Sequence, residues 1–227
     1  MIELTFFKFI SYFKKVVYLI VFTGFSVSHA GSYDDFFTAI IQDDVAKVSA
    51  LLGRWFDPNT VDPSGTAGLL VAIKTGSMNV ALVLTNWPQT NAEVRNVADE
   101  SALMLAALKG ELTLCQLLIK KGADVNKPGW APLHYAATNG HLDVMNLLLE
   151  ENAYIDAASP NGSTPLMMAA HYGSASAVKL LLEAGADPSL KNAQGFSALD
   201  FAHRGNRTES ADIISAFVRG RQPKGTW

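Results

Sequence analysis

The sequence predicts an all-α chain built by repeating one helix-pair unit, and three observations carry that prediction. The first is a recurring phrase. Ala131-Pro132-Leu133-His134-Tyr135-Ala136-Ala137-Thr138-Asn139-Gly140 returns at Thr164-Pro165-Leu166-Met167-Met168-Ala169-Ala170-His171-Tyr172-Gly173, with looser copies from Ala67 and Ser101 and a degraded one from Ser197. The second is its spacing: Ala67, Ser101, Ala131, Thr164 and Ser197 stand 34, 30, 33 and 33 residues apart. The third is that each phrase ends in a helix-stopping glycine and is followed by a second apolar helix carrying pairs such as Leu117-Leu118 and Leu147-Leu148.

The chain has 227 residues, of which 49% are hydrophobic and 17% charged, with a formal net charge of −3. That composition excludes a disordered chain and a generic nucleic-acid binder. One cysteine, Cys115, excludes an internal disulfide and any cysteine-based zinc site. It sits in Leu114-Cys115-Gln116-Leu117-Leu118 with no cation or histidine near it in sequence, so it reads as a core residue and not as a reactive thiol.

Residues 1–30 read as a secretory signal. Lys8, Lys14 and Lys15 precede an apolar run of 12 residues from Val16 to Val27, and Ser28-His29-Ala30 supplies small residues at the cleavage positions. The run is short of the roughly 20 apolar residues a membrane span needs. The expected mature chain keeps 15 basic and 20 acidic residues, a net charge of −5, and works in the periplasm or outside the cell, touching the membrane only during export. The alternative is an uncleaved anchor and a membrane-tethered structural protein.

From residue 31 to 62 we expect a capping helix pair without a hairpin of its own. Phe36, Phe37, Ile40 and Ile41 share one helical face, Val45, Val48, Leu51 and Leu52 line a second helix, and Asp43-Asp44 turns between them. Five units then fill 63–218. Their second helices are expected over Asn79–Leu84, Leu112–Ile119, Leu142–Leu149, Ser176–Leu182 and Ala211–Val218. Pro132 and Pro165 open helices at the turn where a missing N–H is harmless, and Ser101, Thr164 and Ser197 can cap, whereas Ala67 and Ala131 cannot. Gly122 and Gly185 suit the left-handed residue that closes a helix. Residues 219–227, with two glycines and a proline, read as a flexible tail.

A period near 33 with these phrases resembles the ankyrin-repeat family, in particular small exported bacterial members, and the resemblance spans residues 34 to about 218. It implies a solenoid of antiparallel helix pairs stacked side by side, with hairpin loops projecting at right angles. It also implies partner binding at the hairpin tips and at the positions just before each helix-ending glycine. Two departures stand out. Ala67-Gly68-Leu69-Leu70 replaces the family's Thr-Pro-Leu-His, and about three residues are missing between Asn126 and Ala131, which predicts a notch in the row of hairpins.

The chemistry-bearing residues form no catalytic set. His134 and His141 occupy positions the repeat uses structurally, and the scattered histidines lack a carboxylate at ligand spacing. No Gly-x-Ser-x-Gly elbow or phosphate loop is present, and Asp43-Asp44 and Glu150-Glu151 read as solvated helix ends. A hydrolase or metal protein using His171 and His203, or a basic tail on nucleic acid, therefore ranks below a binding scaffold. The reading is a monomeric, non-enzymatic protein without cofactor or small-molecule substrate. It binds one protein partner, protecting or inhibiting it, through Lys109, Trp130, Thr138, Asn139, His171, Tyr172, Phe196 and Arg204.

Overall fold

The computed structural model describes residues 31–221. The predicted signal at 1–30 and the last six residues of the predicted tail lie outside them. Among the described residues twelve helices form six pairs: α1 (31–41) with α2 (Val45–Leu52), α3 (Gly68–Thr75) with α4 (Met78–Asn86), and α5 (Ala102–Lys109) with α6 (Leu112–Lys120). Then come α7 (Pro132–Asn139) with α8 (Leu142–Glu150), α9 (Pro165–His171) with α10 (Ala175–Glu183), and α11 (Ala198–Arg204) with α12 (Thr208–Arg221).

The pairs stack into two layers. First helices follow one another as α3, α5, α7, α9 and α11, and second helices as α2, α4, α6, α8, α10 and α12. Several of the short helices open on a side-chain cap, and the first helices α3, α5 and α7 close on a left-handed glycine, Gly76, Gly110 and Gly140. Ser101, Thr164 and Ser197 hydroxyls accept from the backbone three residues on, at 3.3, 3.4 and 3.4 Å. The favour is returned to the cap N–H by Met104 Sδ, Met167 Sδ and Asp200 Oδ2. Ala131 has no side chain to cap with, but its N–H donates to His134 Nδ1 at 3.1 Å. A side chain three residues in, not the cap itself, is the common device.

Small residues set the spacing between first helices. Ala106, Ala107, Ala136, Ala137, Ala169 and Ala170 are fully buried along the stack, with Leu103, Leu133 and Leu166 beneath them. Gly173 is required by close approach: a Cβ there would stand 2.4 Å from the Ala137 carbonyl. Gly68 is a second case, and it accounts for the odd first copy of the phrase. A Cβ on it would meet Phe36 at 2.7 Å and Ile40 at 2.9 Å, so the capping pair occupies the space that Pro132 and Pro165 fill elsewhere.

Four hairpins share one turn. In each, an N–H at the start of the tip donates to the carbonyl four residues on: Asp62 to Thr66, Asn96 to Glu100, Ser159 to Ser163, and Asn192 to Phe196. The side chains of Asp62, Asn96 and Asn192 accept tip N–H groups as well. The shortened hairpin at Lys127-Pro128-Gly129-Trp130 has none of this pairing. Instead Lys127 is buried, and its ammonium bridges to the Asp99 carboxylate of the preceding hairpin and donates to the Pro128 carbonyl at 3.1 Å.

Some local expectations differ from the structure. Asp43 is not a solvated helix end. It adopts a left-handed backbone (φ 54°) and its carboxylate accepts from the Val80 N–H at 2.8 Å and the Asn79 amide at 2.7 Å, capping α4 from the neighbouring pair. The last helix begins at Thr208 and continues to Arg221, three residues further at each end than the apolar pattern marks. Trp55 takes the left-handed position (φ 67°) that Gly122 and Gly185 hold in later repeats. For a side chain with a Cβ that conformation costs about 1–2 kcal/mol.

Leu133 is fully buried between α7 and its neighbours. Leu133→Ala should lower stability by about 2–5 kcal/mol, read as a shift in urea midpoint with an unchanged slope if the stack still unfolds as one unit.

Candidate protein-binding face

Because positions i and i+4 of a helix share a face, the repeat register builds a surface in three parallel rows. The middle row runs along the first helices: Val71, Leu105, Tyr135, Met168 and Phe201. All but the buried Leu105 are half-buried, packed on the core beneath with an outer edge in water. One turn on lies an exposed row at the helix ends, Thr75, Lys109, Asn139 and Tyr172, which Arg204 continues on α11 from one position before the register residue Gly205. On the other side, just before each helix, stand the hairpin-edge residues Thr66, Glu100, Trp130, Ser163 and Phe196.

The sequence-predicted residues fall on this surface, but they are not equivalent. Tyr172 is 52% exposed and its ring stands edge-on to His171, with centroids 4.2 Å apart. His171 itself is half-buried, hydrogen-bonded through Nδ1 to the Phe201 carbonyl at 3.0 Å, so its ring serves the junction between repeats. Arg207 holds the carbonyls of both residues, at 3.2 and 3.1 Å, and thereby sets where Tyr172 projects. Arg204 lies over the Phe196 ring at 4.3 Å, a cation–π pair that joins the hairpin row to the helix-end row.

Trp130 is half-buried and packs edge-on against His134, 5.3 Å between centroids. Thr138 turns its hydroxyl back to donate to the His134 carbonyl at 2.8 Å, which leaves its methyl and the acceptor side of its oxygen for a partner. Asn139 is exposed and its amide donates to Leu108 O at 2.8 Å, which ties it to the end of α5 beside Lys109. Lys109 is exposed and stands apart from the aromatic cluster of the last three repeats. Tyr135, Met168 and Phe201 belong to the face and are absent from the sequence-derived set. Their signal was available in the repeat register, one turn before Asn139, Tyr172 and Gly205.

The electrostatics of the first repeats are a relay across hairpins. Glu100 accepts from the Asn96 amide at 2.7 Å and the Tyr135 hydroxyl at 3.2 Å, and Lys74 lies 3.7 Å away. Burial and the adjacent Glu100 push the Tyr135 hydroxyl up to about 12. Asp99 is held below the usual carboxylate range by its bond to Lys127. Cys115 is fully buried, and desolvation raises its thiol to about 12. Among the described residues no group of three His, Cys, Asp or Glu side chains could hold a metal, and no helix is long and apolar enough to cross a membrane.

Burial also holds the fully buried His134 below its ordinary value of 6.5. With Nδ1 accepting from Ala131, the neutral ring donates from Nε2 to the Ser163 carbonyl at 3.0 Å, linking the third repeat to the fourth. The unfolded chain takes up a proton below about pH 6.5 that the folded chain resists, so stability should be full above that pH and fall below it. Urea midpoints taken between about pH 7.5 and 5 should drop for the parent, and drop less for His134→Gln.

Comparison with known proteins accords with this geometry. The family profile described as "Ankyrin repeats (3 copies)" matches residues 36–128, 81–159 and 133–219. The B-cell lymphoma 3 protein homolog of Mus musculus is 32% identical over 188 residues, 78% of this chain and 41% of that protein. The nuclear factor NF-kappa-B p105 subunit of Mus musculus is 32% identical over 158 residues, 66% of this chain and 15% of that protein. The chain spans between 12% and 41% of the length of the curated relatives it matches. Among solved structures, a chain from the complex of a predatory endopeptidase of Bdellovibrio bacteriovorus with an immunity protein superposes with a TM-score of 0.70. It is 30% identical, and the match covers 80% of this chain and 97% of that one.

Proposed function

Because the chain belongs to the ankyrin-repeat family, we propose that it is an exported, non-enzymatic scaffold that holds one protein partner across its third to fifth repeats and thereby protects or inhibits it. The observation that carries this reading is the aromatic face itself. Tyr135, Met168 and Phe201 offer a half-buried apolar strip, flanked by exposed Tyr172 on one side and by the Phe196–Arg204 pair that spans the rows. Aromatic anchors set in well-packed surroundings are where binding energy concentrates.

The solved complex that shares the fold contains an endopeptidase and an immunity protein. That supports an enzyme as the partner, and a peptidase of the same compartment is the first class to test. A rigid stack suits such a role. Tyr172 is fixed by His171 and Arg207, so little side-chain freedom is lost when it is covered.

Crosslinking from Trp130 in the exported fraction should capture one protein, and the purified pair should associate. Tyr172→Ala and Trp130→Ala should each weaken that association by about 2 kcal/mol or more, close to thirtyfold in Kd by titration calorimetry. Unchanged affinity with an unchanged unfolding midpoint removes the residue from the interface. Export makes its own prediction: the N-terminus of the secreted protein, determined by mass, should lie near Gly31, and an intact leader would favour the tethered reading.

A further inference from the structure

A recess of about 620 Å³ lies where α2 and α4 end, at the N-terminal end of the stack. It shares no residue with the face formed by Tyr135, Met168 and Phe201. Its wall holds three aromatic rings, Trp55, Phe56 and Trp87, together with Leu52, Pro58 and Pro88. Phe56 is anchored on Phe36 of the capping pair, 4.7 Å between centroids, so the floor is part of the core.

Trp55 is the unexpected member. It is 91% exposed, so its ring gains almost nothing from packing. Its backbone is left-handed, at the position where later repeats carry Gly122, Asn152 and Gly185. A bulky residue kept in a strained conformation without burial points to a task in binding.

Charge identifies the occupant. The lining contains one carboxylate, Asp57, and no cation. Asp57 Oδ1 accepts from the Asn59 backbone and side chain at 2.8 and 3.2 Å, whereas Oδ2 accepts no hydrogen bond among the described residues. Lys121, which reaches this end of α4, has its ammonium on the Thr85 and Trp87 carbonyls, and Arg54 is exposed and outside the lining. A site of aromatic faces with one free carboxylate oxygen at its rim suits a planar cation. An arginine stacks on indole and donates to carboxylate at the same time, which an ammonium does less well.

We propose that this recess binds an arginine side chain presented by a basic peptide segment of a protein partner, with the guanidinium against Trp55 and Trp87 and its N–H groups on Asp57. The proposal is separate from the binding face of the last three repeats and stands or falls independently of it.

The test uses the purified protein with a nine-residue probe, three repeats of Gly-Arg-Ser, and the same peptide with citrulline, a neutral isostere, in place of arginine. Binding is followed by the indole N–H resonances of the tryptophans. The arginine peptide should shift the Trp55 and Trp87 signals, leave Trp130 unmoved, and bind at least about fivefold more tightly than the citrulline peptide. Asp57→Asn should erase that preference. Trp55→Gly should raise the thermal midpoint by relieving the backbone, and abolish the response at Trp87. The proposal is overturned if the two peptides bind equally, if neither binds at about millimolar concentration, if Trp130 responds instead, or if Trp55→Gly binds like the parent.

Discussion

Several helix pairs in this chain end with polar groups that their own residues leave unmet, and a neighbouring pair meets them. Carbonyls at the ends of α4, α5 and α9 receive Lys121, then His141 and Asn139, then Arg207. The Val80 N–H at the start of α4 is met by Asp43, and the Ser163 carbonyl of the fourth hairpin by His134. Below the helices, Asn59, Asn126 and Asp156 accept from the backbone of Asn91, Tyr154 and Asp187 in the next loop. Of these bonds only that of His134 to Ser163 is buried, where an unmet group would cost about 1–3 kcal/mol. The others are half-buried or exposed, so they fix the register between repeats while the alanine seam carries the packing.

That coupling explains why the candidate face can be regular while its chemistry is not. The rows are set by buried positions, Leu133 and Ala136-Ala137 and their counterparts, which fix where each helix stands. Outward positions are then free to differ, as Lys109, Asn139 and Tyr172 do at one equivalent site. Recognition is a matter of which side chains occupy a ruled grid. Arg207 and His171 show the intermediate case, groups spent on the junction whose effect is to aim an exposed neighbour.

The register, the helix pairs and the core were legible in the sequence because they depend on local rules repeated five times. Pro165 with Thr164, or Gly122 after Leu118, carries its meaning within one turn. The half-buried strip was not legible in the same way. The repeat register puts Tyr135, Met168 and Phe201 at one equivalent position, but only the stack shows that one edge of each meets solvent. Asp43 and Lys127 were missed for a different reason: their partners, Val80 and Asp99, lie 37 and 28 positions away, beyond any local pattern. Gly68 looked like a lapse from the repeat, but it is the price of seating Phe36.

The same logic explains why the strained tryptophan sits in the capping pair. In the inner repeats the same left-handed position is held by Gly122, Asn152 and Gly185, and a Cβ at either glycine would meet nothing within 4 Å, so backbone conformation and not packing selects the residue there. The capping pair has a described neighbour on one side only, α4 against α2. A distortion at Trp55 therefore disturbs one junction and not two, and a nearest-neighbour stack tolerates a small local cost best at its ends. Among the described residues no other helix pair lies over the Trp55 ring, which is 91% exposed. The architecture that makes the interior monotonous leaves its first turn free to carry a second specificity.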